Sequence, residues 1–297
     1  MKLTRLILIL IVALTAQIAG ARNLEAKRGV ISGGYNFWFY APDSAKTEAK
    51  PVIIFLHGAS LCGNDLNRVS RYGTIDAINR GRKIDAYVVA PQNPGGAWNP
   101  SKVMQLVDWV DKNGNVDHDR IYVIGMSLGG YGAIDVAAAY PDRIAACMSF
   151  CGGGTSAKLA DLNKVPLWIV HGTGDRAVNV SESDKVVNAM RKADSETPRL
   201  IYDRVPGMNH GQPARFLYLS DSYDWLLSHS LSDEDRPVSE PFDITSAAGK
   251  AYKDLNYKSG RSSKKASASS RKKHGKSSAR TRTKSKRSGS ARAKSKR

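Results

Sequence analysis

Residues 121–141 read IYVIGMSLGGYGAIDVAAAYP. A short apolar run, Ile121 to Ile124, passes through a glycine-flanked serine into a small-residue stretch of helical character. That order is strand, sharp turn, helix. Gly125-Met126-Ser127-Leu128-Gly129 fits G-x-S-x-G, the turn that lifts a nucleophilic serine clear of the end of a strand. The pattern has two free positions and occurs often by chance, so a polar residue in a tight turn is the rival reading. The rest of the chain must discriminate between them.

Outward from this stretch, strand-like and helix-like segments alternate. Asn36 to Tyr40 is a predicted first strand or hairpin, and PVIIFL (51–56), AYVVA (86–90), IYVI (121–124), IAACMSF (144–150), VPLWIV (165–170) and LIYDRV (200–205) are further predicted strands. Runs that are apolar throughout, without alternation, belong to strands covered on both faces, as in a parallel sheet. Amphipathic stretches near 65–80, 101–112, 127–140, 182–193 and 213–228 predict the intervening helices. Ser181-Glu182-Ser183-Asp184 fits the S-x-x-D box that caps a helix start. Alternation of this kind implies right-handed crossovers, and so an α/β fold: a mostly parallel central sheet with helices on both faces.

In such sheets chemistry gathers in the loops after the carboxyl ends of the strands. A serine hydroxyl is a weak nucleophile and needs a base, which in turn needs a carboxylate to hold its tautomer. After VPLWIV comes His171-Gly172-Thr173-Gly174-Asp175, which offers Asp175; after LIYDRV comes Pro206-Gly207-Met208-Asn209-His210, which offers His210. The order Ser127, Asp175, His210, each in the loop after its own strand, is the one a nucleophile elbow requires. Gly125 and Gly129 supply the room that such a turn needs. The helix beginning at Leu128 presents a free N–H where an oxyanion would form. The loop after PVIIFL, His57-Gly58-Ala59-Ser60, offers the amide of Ala59 as a second donor.

LHGAS (56–60), APQNPGGAW (90–98), GMSLGGYG (125–132), HGTGD (171–175) and NHG (209–211), in this order, resemble the α/β-hydrolase superfamily. More narrowly they are similar to its secreted esterase and depolymerase branch: feruloyl and acetylxylan esterases, polyhydroxybutyrate depolymerase-like proteins and prolyl oligopeptidase-like peptidases. The resemblance runs from about Tyr35 to His229. It implies Ser127 as nucleophile, His210 as base, Asp175 as the acid that orients it, and the amides of Leu128 and Ala59 as oxyanion hole. It also implies that Trp98 lines the acyl or alcohol pocket. The substrate is not implied, because these subfamilies share motifs and differ in loops.

Rival residues exist for each role. His57 and His171 precede glycines at strand ends and read as loop-ordering residues; His118 lies in a polar turn and His229 ends a helix. Asp203 and Asp184 are the substitutes for Asp175. Asn179-Val180-Ser181 matches a glycosylation sequon, but a capping role explains it better. Cys62, Cys147 and Cys151 allow one disulfide, with Cys62–Cys151 conceivable if both lie on the active face, or free thiols instead. No cysteine pair has metal-ligand spacing, and Gly152-Gly153-Gly154 lacks the Lys-Ser/Thr of a phosphate loop. Neither a metal nor another cofactor is expected.

The ends read differently from the middle. Residues 1–21, MKLTRLILILIVALTAQIAGA, combine Lys2 and Arg5, an apolar run and Ala19-Gly20-Ala21, the pattern of a signal peptide cut after Ala21. The apolar run is shorter than the ~20 residues of a bilayer span. The protein is therefore expected to be exported, periplasmic or extracellular, with no membrane-spanning segment after cleavage. The catalytic domain is expected over 22–230 and a linker over 231–257. From Lys258 to Arg297 there are 17 Lys or Arg and no Asp or Glu, nearly all of the net charge of +18. That tail is expected to be disordered. Its candidate partners are nucleic acid, acidic envelope polymer or anionic lipid, and an inert solvated extension is the alternative, since no aromatic is interleaved to stack on bases.

Only Gly152 to Lys164 separate the strand after the serine helix from the next, so no lid domain is expected. An open cleft suits a short acyl ester, including one attached to a polymer. Trp98 and Trp168 are candidates for sugar stacking, although Trp168 within VPLWIV reads as core. Three functions are carried forward: a serine esterase, a serine peptidase of prolyl oligopeptidase type with the same triad, and an envelope or nucleic-acid binder acting through its tail. The peptidase would ordinarily carry a large N-terminal gating domain, for which the chain has no room. The complete triad favours the esterase, since a binder has no use for it.

Overall fold

The apolar runs pair into a single sheet. The computed structural model describes residues 23–255 apart from 237 and 240–242. Its strands are β1 (Leu24–Lys27), β2 (Phe37–Tyr40), β3 (Lys50–Leu56), β4 (Tyr87–Pro91), β5 (Val116–Met126), β6 (Ala146–Phe150), β7 (Leu167–Gly172) and β8 (Leu200–Val205). They lie in the order β1-β2-β4-β3-β5-β6-β7-β8. β2 pairs antiparallel with β1 and β4, and the remaining six strands run parallel. The α/β class and the mostly parallel sheet are those expected from the unalternating apolar runs.

Every residue of β3, β4, β6 and β7 is buried, as a sheet covered on both sides demands. Alternate residues feed two apolar layers. Ile53, Phe55, Val88, Ile124 and Trp168 face one layer, while Val52, Ile54, Val89, Val123 and Ile169 face the other. The first layer is covered by helices α1 (Thr74–Asn79), α5 (Ser220–Leu227) and α6 (Ile244–Lys250); the second is covered by α2 (Pro100–Asn113), α3 (Leu128–Ala139) and α4 (Ser181–Ala193).

Several local expectations are corrected by turn geometry. The helix expected over 65–80 is two pieces, a 3-10 turn at Leu66–Arg71 and α1, because Gly73 between them adopts φ 89°. The helix over 213–228 divides in the same way at Leu219, which is extended. Ser181 lies inside α4 and does not cap it: Asn179 accepts from the Ser181 N–H at 2.9 Å, and Asp184 accepts from the Tyr202 hydroxyl at 2.6 Å and pairs with Arg204. The segment read as a linker carries α6. Ile244 and Ala247, followed by Ala251 and Leu255, are buried in the layer that holds Phe216 and Tyr218.

Between β6 and β7 the secondary structure is one 3-10 turn, Leu159–Lys164. Trp168 is core, as expected, and its indole N–H donates to Asp203 at 2.7 Å. Cys62, Cys147 and Cys151 are free, so the conceivable Cys62–Cys151 bridge is not formed. Residues 1–21, expected to be a signal peptide, and the basic tail 258–297 lie outside the described residues. Among the described residues no helix is long and apolar enough to cross a membrane.

Candidate active site

β5 ends at Met126 and α3 begins at Leu128, so Ser127 alone carries the reversal from strand to helix. Its backbone takes φ 59° and ψ −120°, a conformation that costs a non-glycine residue about 1–3 kcal/mol. The surroundings hold it there. Its N–H donates to the Phe150 carbonyl at 2.8 Å, and its own carbonyl accepts from Tyr131 N–H at 3.1 Å. Strain of this kind gathers where a side chain must be held in one place, and Ser127 keeps it with a half-buried hydroxyl.

The loops after β7 and β8 meet at this serine. His210 Nε2 lies 2.9 Å from Ser127 Oγ, and His210 Nδ1 lies 2.7 Å from Asp175 Oδ2. The two loops approach closely because Gly172 has no side chain: a Cβ there would stand 1.9 Å from the Met208 carbonyl oxygen. A carboxylate only accepts, so the neutral imidazole carries its proton on Nδ1 and leaves Nε2 free to accept the serine proton. The chain of hydrogen bonds runs from a wholly buried carboxylate to an imidazole whose side chain is 28% exposed.

Burial works against ionisation of Asp175. Hydrogen bonds outweigh it, from Val178 N–H at 2.9 Å, from His210 and from Ala177 N–H at 2.8 Å, and they leave the carboxyl below its usual pKa. Asp175 therefore stays anionic across the neutral range. Stability linked to its depressed pKa is present above the ordinary carboxyl pKa and is lost as pH falls through the folded value.

A second histidine touches the same carboxylate. His171 Nε2 is 3.0 Å from the Val178 carbonyl and 3.3 Å from Asp175 Oδ2, while Nδ1 lies 2.8 Å from Ser183 Oγ. The ring is wholly buried, and burial lowers its pKa, which keeps it neutral. It orders the loop, as expected, and it also steadies Asp175. His171→Phe is expected to lower kcat on the order of 10-fold, the loss of one weak hydrogen bond to a charged group. Steady-state kinetics checks this; an unchanged kcat would assign the ring to loop packing alone.

The other rivals are committed elsewhere. Asp203 serves Trp168, and Asp184 serves Tyr202 and Arg204. His118 pairs with Asp111 at the surface, 3.0 Å apart. His229 packs on Trp225, and burial holds its pKa down to about 4. His57 is fully buried and burial holds it too at about 4; its Nδ1 donates to the Gly58 carbonyl and its Nε2 accepts from Asn93 N–H.

Beside the serine is a cavity of about 550 Å³, walled by Ala59, Tyr72, Leu128, Tyr131, Val178 and Ala214. Leu128 and Ala59 are each the first residue of a helical turn. A first-turn N–H has no intrahelical acceptor, so both amides are suited to an oxyanion. Trp98 is a correction. It is only 4% exposed and is not part of the cavity wall, because it packs against His57, its N–H donating to the His57 carbonyl at 3.3 Å and its ring edge-on to the imidazole. Tyr72, which was not singled out in the sequence, stands in the wall in its place. Cys151 Sγ lies within 4.8 Å of Asp175 and His210 donor atoms. Burial pushes its thiol up, and the carboxylate and imidazole are bonded to each other, so the three groups pack together as a neutral thiol behind a hydrogen-bonded pair.

Known proteins of related sequence and shape bear on this site. The chain is 25% identical over 158 residues to the bifunctional acetylxylan esterase/xylanase of Neocallimastix patriciarum, a match covering 50% of the chain and 22% of that protein. It is 25% identical over 162 residues to the poly(3-hydroxyalkanoate) depolymerase C of Paucimonas lemoignei, covering 48% of the chain and 37% of that protein. The chain thus spans well under half the length of these two relatives. Among solved structures, a thermostable esterase superposes with a TM-score of 0.58 at 22% identity, over 70% of this chain and 64% of that one. The model of the Esterase family, described as "Putative esterase", matches residues 30–214. Since that is more than half of the chain, and the sheet has the α/β-hydrolase arrangement, the chain belongs to the Esterase family.

Proposed function

We propose that the protein is an exported serine esterase that cleaves short acyl esters, of acetyl or feruloyl type, including esters attached to a polymer. The observation that carries this is the continuous hydrogen-bond path Asp175–His210–Ser127 ending at the open cavity. Ser127 Oγ attacks the ester carbonyl as His210 Nε2 takes its proton, and the amides of Leu128 and Ala59 receive the developing oxyanion. Collapse breaks the ester C–O bond. His210 returns the proton to the departing alkoxide, leaving an acyl group on Ser127. Water, deprotonated by His210, then attacks the acyl carbonyl, and the acid leaves as Ser127 recovers its proton. Asp175 holds the ring and balances the imidazolium without itself gaining a proton.

A more open hollow lined by Gly174, Arg176 and Asn209 borders the other side of His210. An ester lying across His210 would have acyl and alcohol portions in different hollows. Relatives named for acetylxylan and polyhydroxyalkanoate are compatible with polymer-borne esters. The test is a panel of p-nitrophenyl acetate, butyrate and methyl ferulate against peptide p-nitroanilides, with a fluorophosphonate probe to locate the reactive serine by peptide mapping. Ester turnover with labelling of Ser127 supports the proposal; anilide turnover alone would favour the prolyl oligopeptidase-like peptidase.

The segment 258–297 is proposed to act separately, as a polyanion-binding arm. Its affinity for a nucleic acid or an acidic polymer is expected to fall by about 10³-fold or more between 50 and 200 mM salt if six or more phosphates are neutralised. Binding measured by fluorescence anisotropy that ignores salt would remove that arm from the function. Export rests on the pattern within residues 1–21 and is tested by fractionating cells that express the full chain.

A further inference from the structure

We propose that Tyr72 is a further catalytic residue, its hydroxyl donating a hydrogen bond to the former carbonyl oxygen, the oxyanion of the tetrahedral intermediate made when Ser127 adds to the ester; this rests on the esterase reading above. Tyr72 comes from the loop between the 3-10 turn Leu66–Arg71 and α1, yet it lines the cavity beside the serine. A Cβ built on Gly58 would lie 2.9 Å from Tyr72 Oη and 3.2 Å from Ser127 Cβ. The phenol oxygen and the Ser127 side chain therefore both border the space that a methyl group on Gly58 would fill, one residue before Ala59. Both line the same cavity.

The hydroxyl keeps its own proton to donate. It accepts the Gly58 N–H at 2.7 Å and a hydrogen bond from the Ser60 side chain, which occupies both lone pairs and leaves the phenolic proton to donate. The Ser60 hydroxyl lies beside it and lines the same cavity. Burial pushes the phenol above its ordinary pKa, so the proton is present throughout the neutral range. The ring is fixed edge-on against fully buried Phe55, and the next residue is anchored by its N–H to the Tyr218 hydroxyl at 3.2 Å. A donor held in place before reaction costs no reorganisation when charge appears on the substrate. In the ester the carbonyl oxygen carries little charge and the bond is weak; in the tetrahedral intermediate it is charge-assisted. Tyr72 thus favours the intermediate over the ground state, which is the requirement for a catalytic contribution.

The experiment compares wild type, Tyr72→Phe and a variant carrying 3-fluorotyrosine at position 72, using p-nitrophenyl acetate and an aryl trifluoromethyl ketone. The ketone adds Ser127 to form an anionic hemiketal. Tyr72→Phe is expected to lower kcat by about 10- to 100-fold, up to the lower end of the ~10²- to 10³-fold loss for one oxyanion donor, because the two backbone amides remain. KM should move less than about 3-fold, while ketone affinity falls by the factor lost in kcat. Fluorination separates donation from support of the loop: a more acidic phenol donates better and accepts the Gly58 N–H less well. Retained or improved kcat and ketone affinity in the fluorotyrosine form support donation; loss of both would reduce Tyr72 to a prop for Gly58. If Tyr72→Phe matches wild type, the proposal is overturned while the esterase reading stands. If wild type shows no Ser127-dependent turnover, the esterase reading itself fails.

Discussion

Ser127→Ala is expected to lower kcat toward a short acyl ester by about 10⁴- to 10⁶-fold, the range seen when a triad nucleophile is removed. Thermal stability should hardly move. The serine hydroxyl makes one side-chain hydrogen bond, to His210, and the strained φ of 59° is imposed by the backbone around it, not by the side chain. Asp175→Asn is expected to cost about 10⁴-fold by a different route. An asparagine that donates toward His210 Nδ1 would favour the tautomer with its proton on Nε2, where it faces the serine and cannot accept. The two losses will not add, because each variant breaks the same relay. Ser127→Ala combined with Asp175→Asn should be no slower than Ser127→Ala by itself. Stopped or steady-state assays with an active-site titrant check all three, and full turnover in the Ser127→Ala protein would move the chemistry to another residue.

How far the site could be read in advance depends on what kind of information each residue carries. Ser127, Asp175 and His210 are far apart in sequence but share one property, a place just after a strand. The parallel sheet brings all such places to one edge, so chain order alone predicted their meeting. Asp184 and Asp203 are near strands or helices too, but their side chains leave toward Arg204, Tyr202 and Trp168, and no spacing rule shows that. Trp98 failed for a similar reason. Its place in the loop after β4 is near the site, but which side of the loop the indole takes is decided by packing on His57 and by the absence of a side chain at Gly132, where a Cβ would stand 2.6 Å from the indole.

Tyr72 carries no motif. It reaches the site because Gly73 turns the chain between two short helical pieces, and that break was hidden inside what looked like one amphipathic stretch. α6 was hidden by composition. Its buried residues, Ile244 and Ala247, and those that follow it, Ala251 and Leu255, are spaced three or four apart, but two of the four are alanines in a polar background, so the stripe is faint against its surroundings. The strongest signals came from backbone-driven features that repeat, apolar runs and elbow glycines. The weakest came from single side chains whose direction is set by tertiary neighbours.

Gly129→Ala is the variant that tests the elbow itself. Gly129 lies in the first turn of α3, where alanine is the better helix former by about 1 kcal/mol. Local propensity therefore predicts stabilisation. The tertiary surroundings predict the reverse: a Cβ at this position would sit 1.8 Å from the Leu56 carbonyl oxygen and 2.8 Å from that of His57. Neither is the tip of a flexible side chain. Leu56 is the last residue of β3, paired with Gly125 of β5, and His57 opens the loop that carries Ala59. To admit the methyl, α3 must lift from β3 or the β3 end must move, and either shift separates Ser127 from Ala59. Backbone displacement of this kind costs on the order of 3 kcal/mol or more. A misplacement near 1 Å at the nucleophile is enough for about 10²-fold in rate. Gly129→Ala should thus lose activity by at least that factor and unfold at clearly lower urea, with the activity loss persisting at temperatures where circular dichroism still reports a folded protein. A wild-type urea midpoint together with wild-type kcat would mean that β3 and α3 are not in the close contact on which the elbow depends.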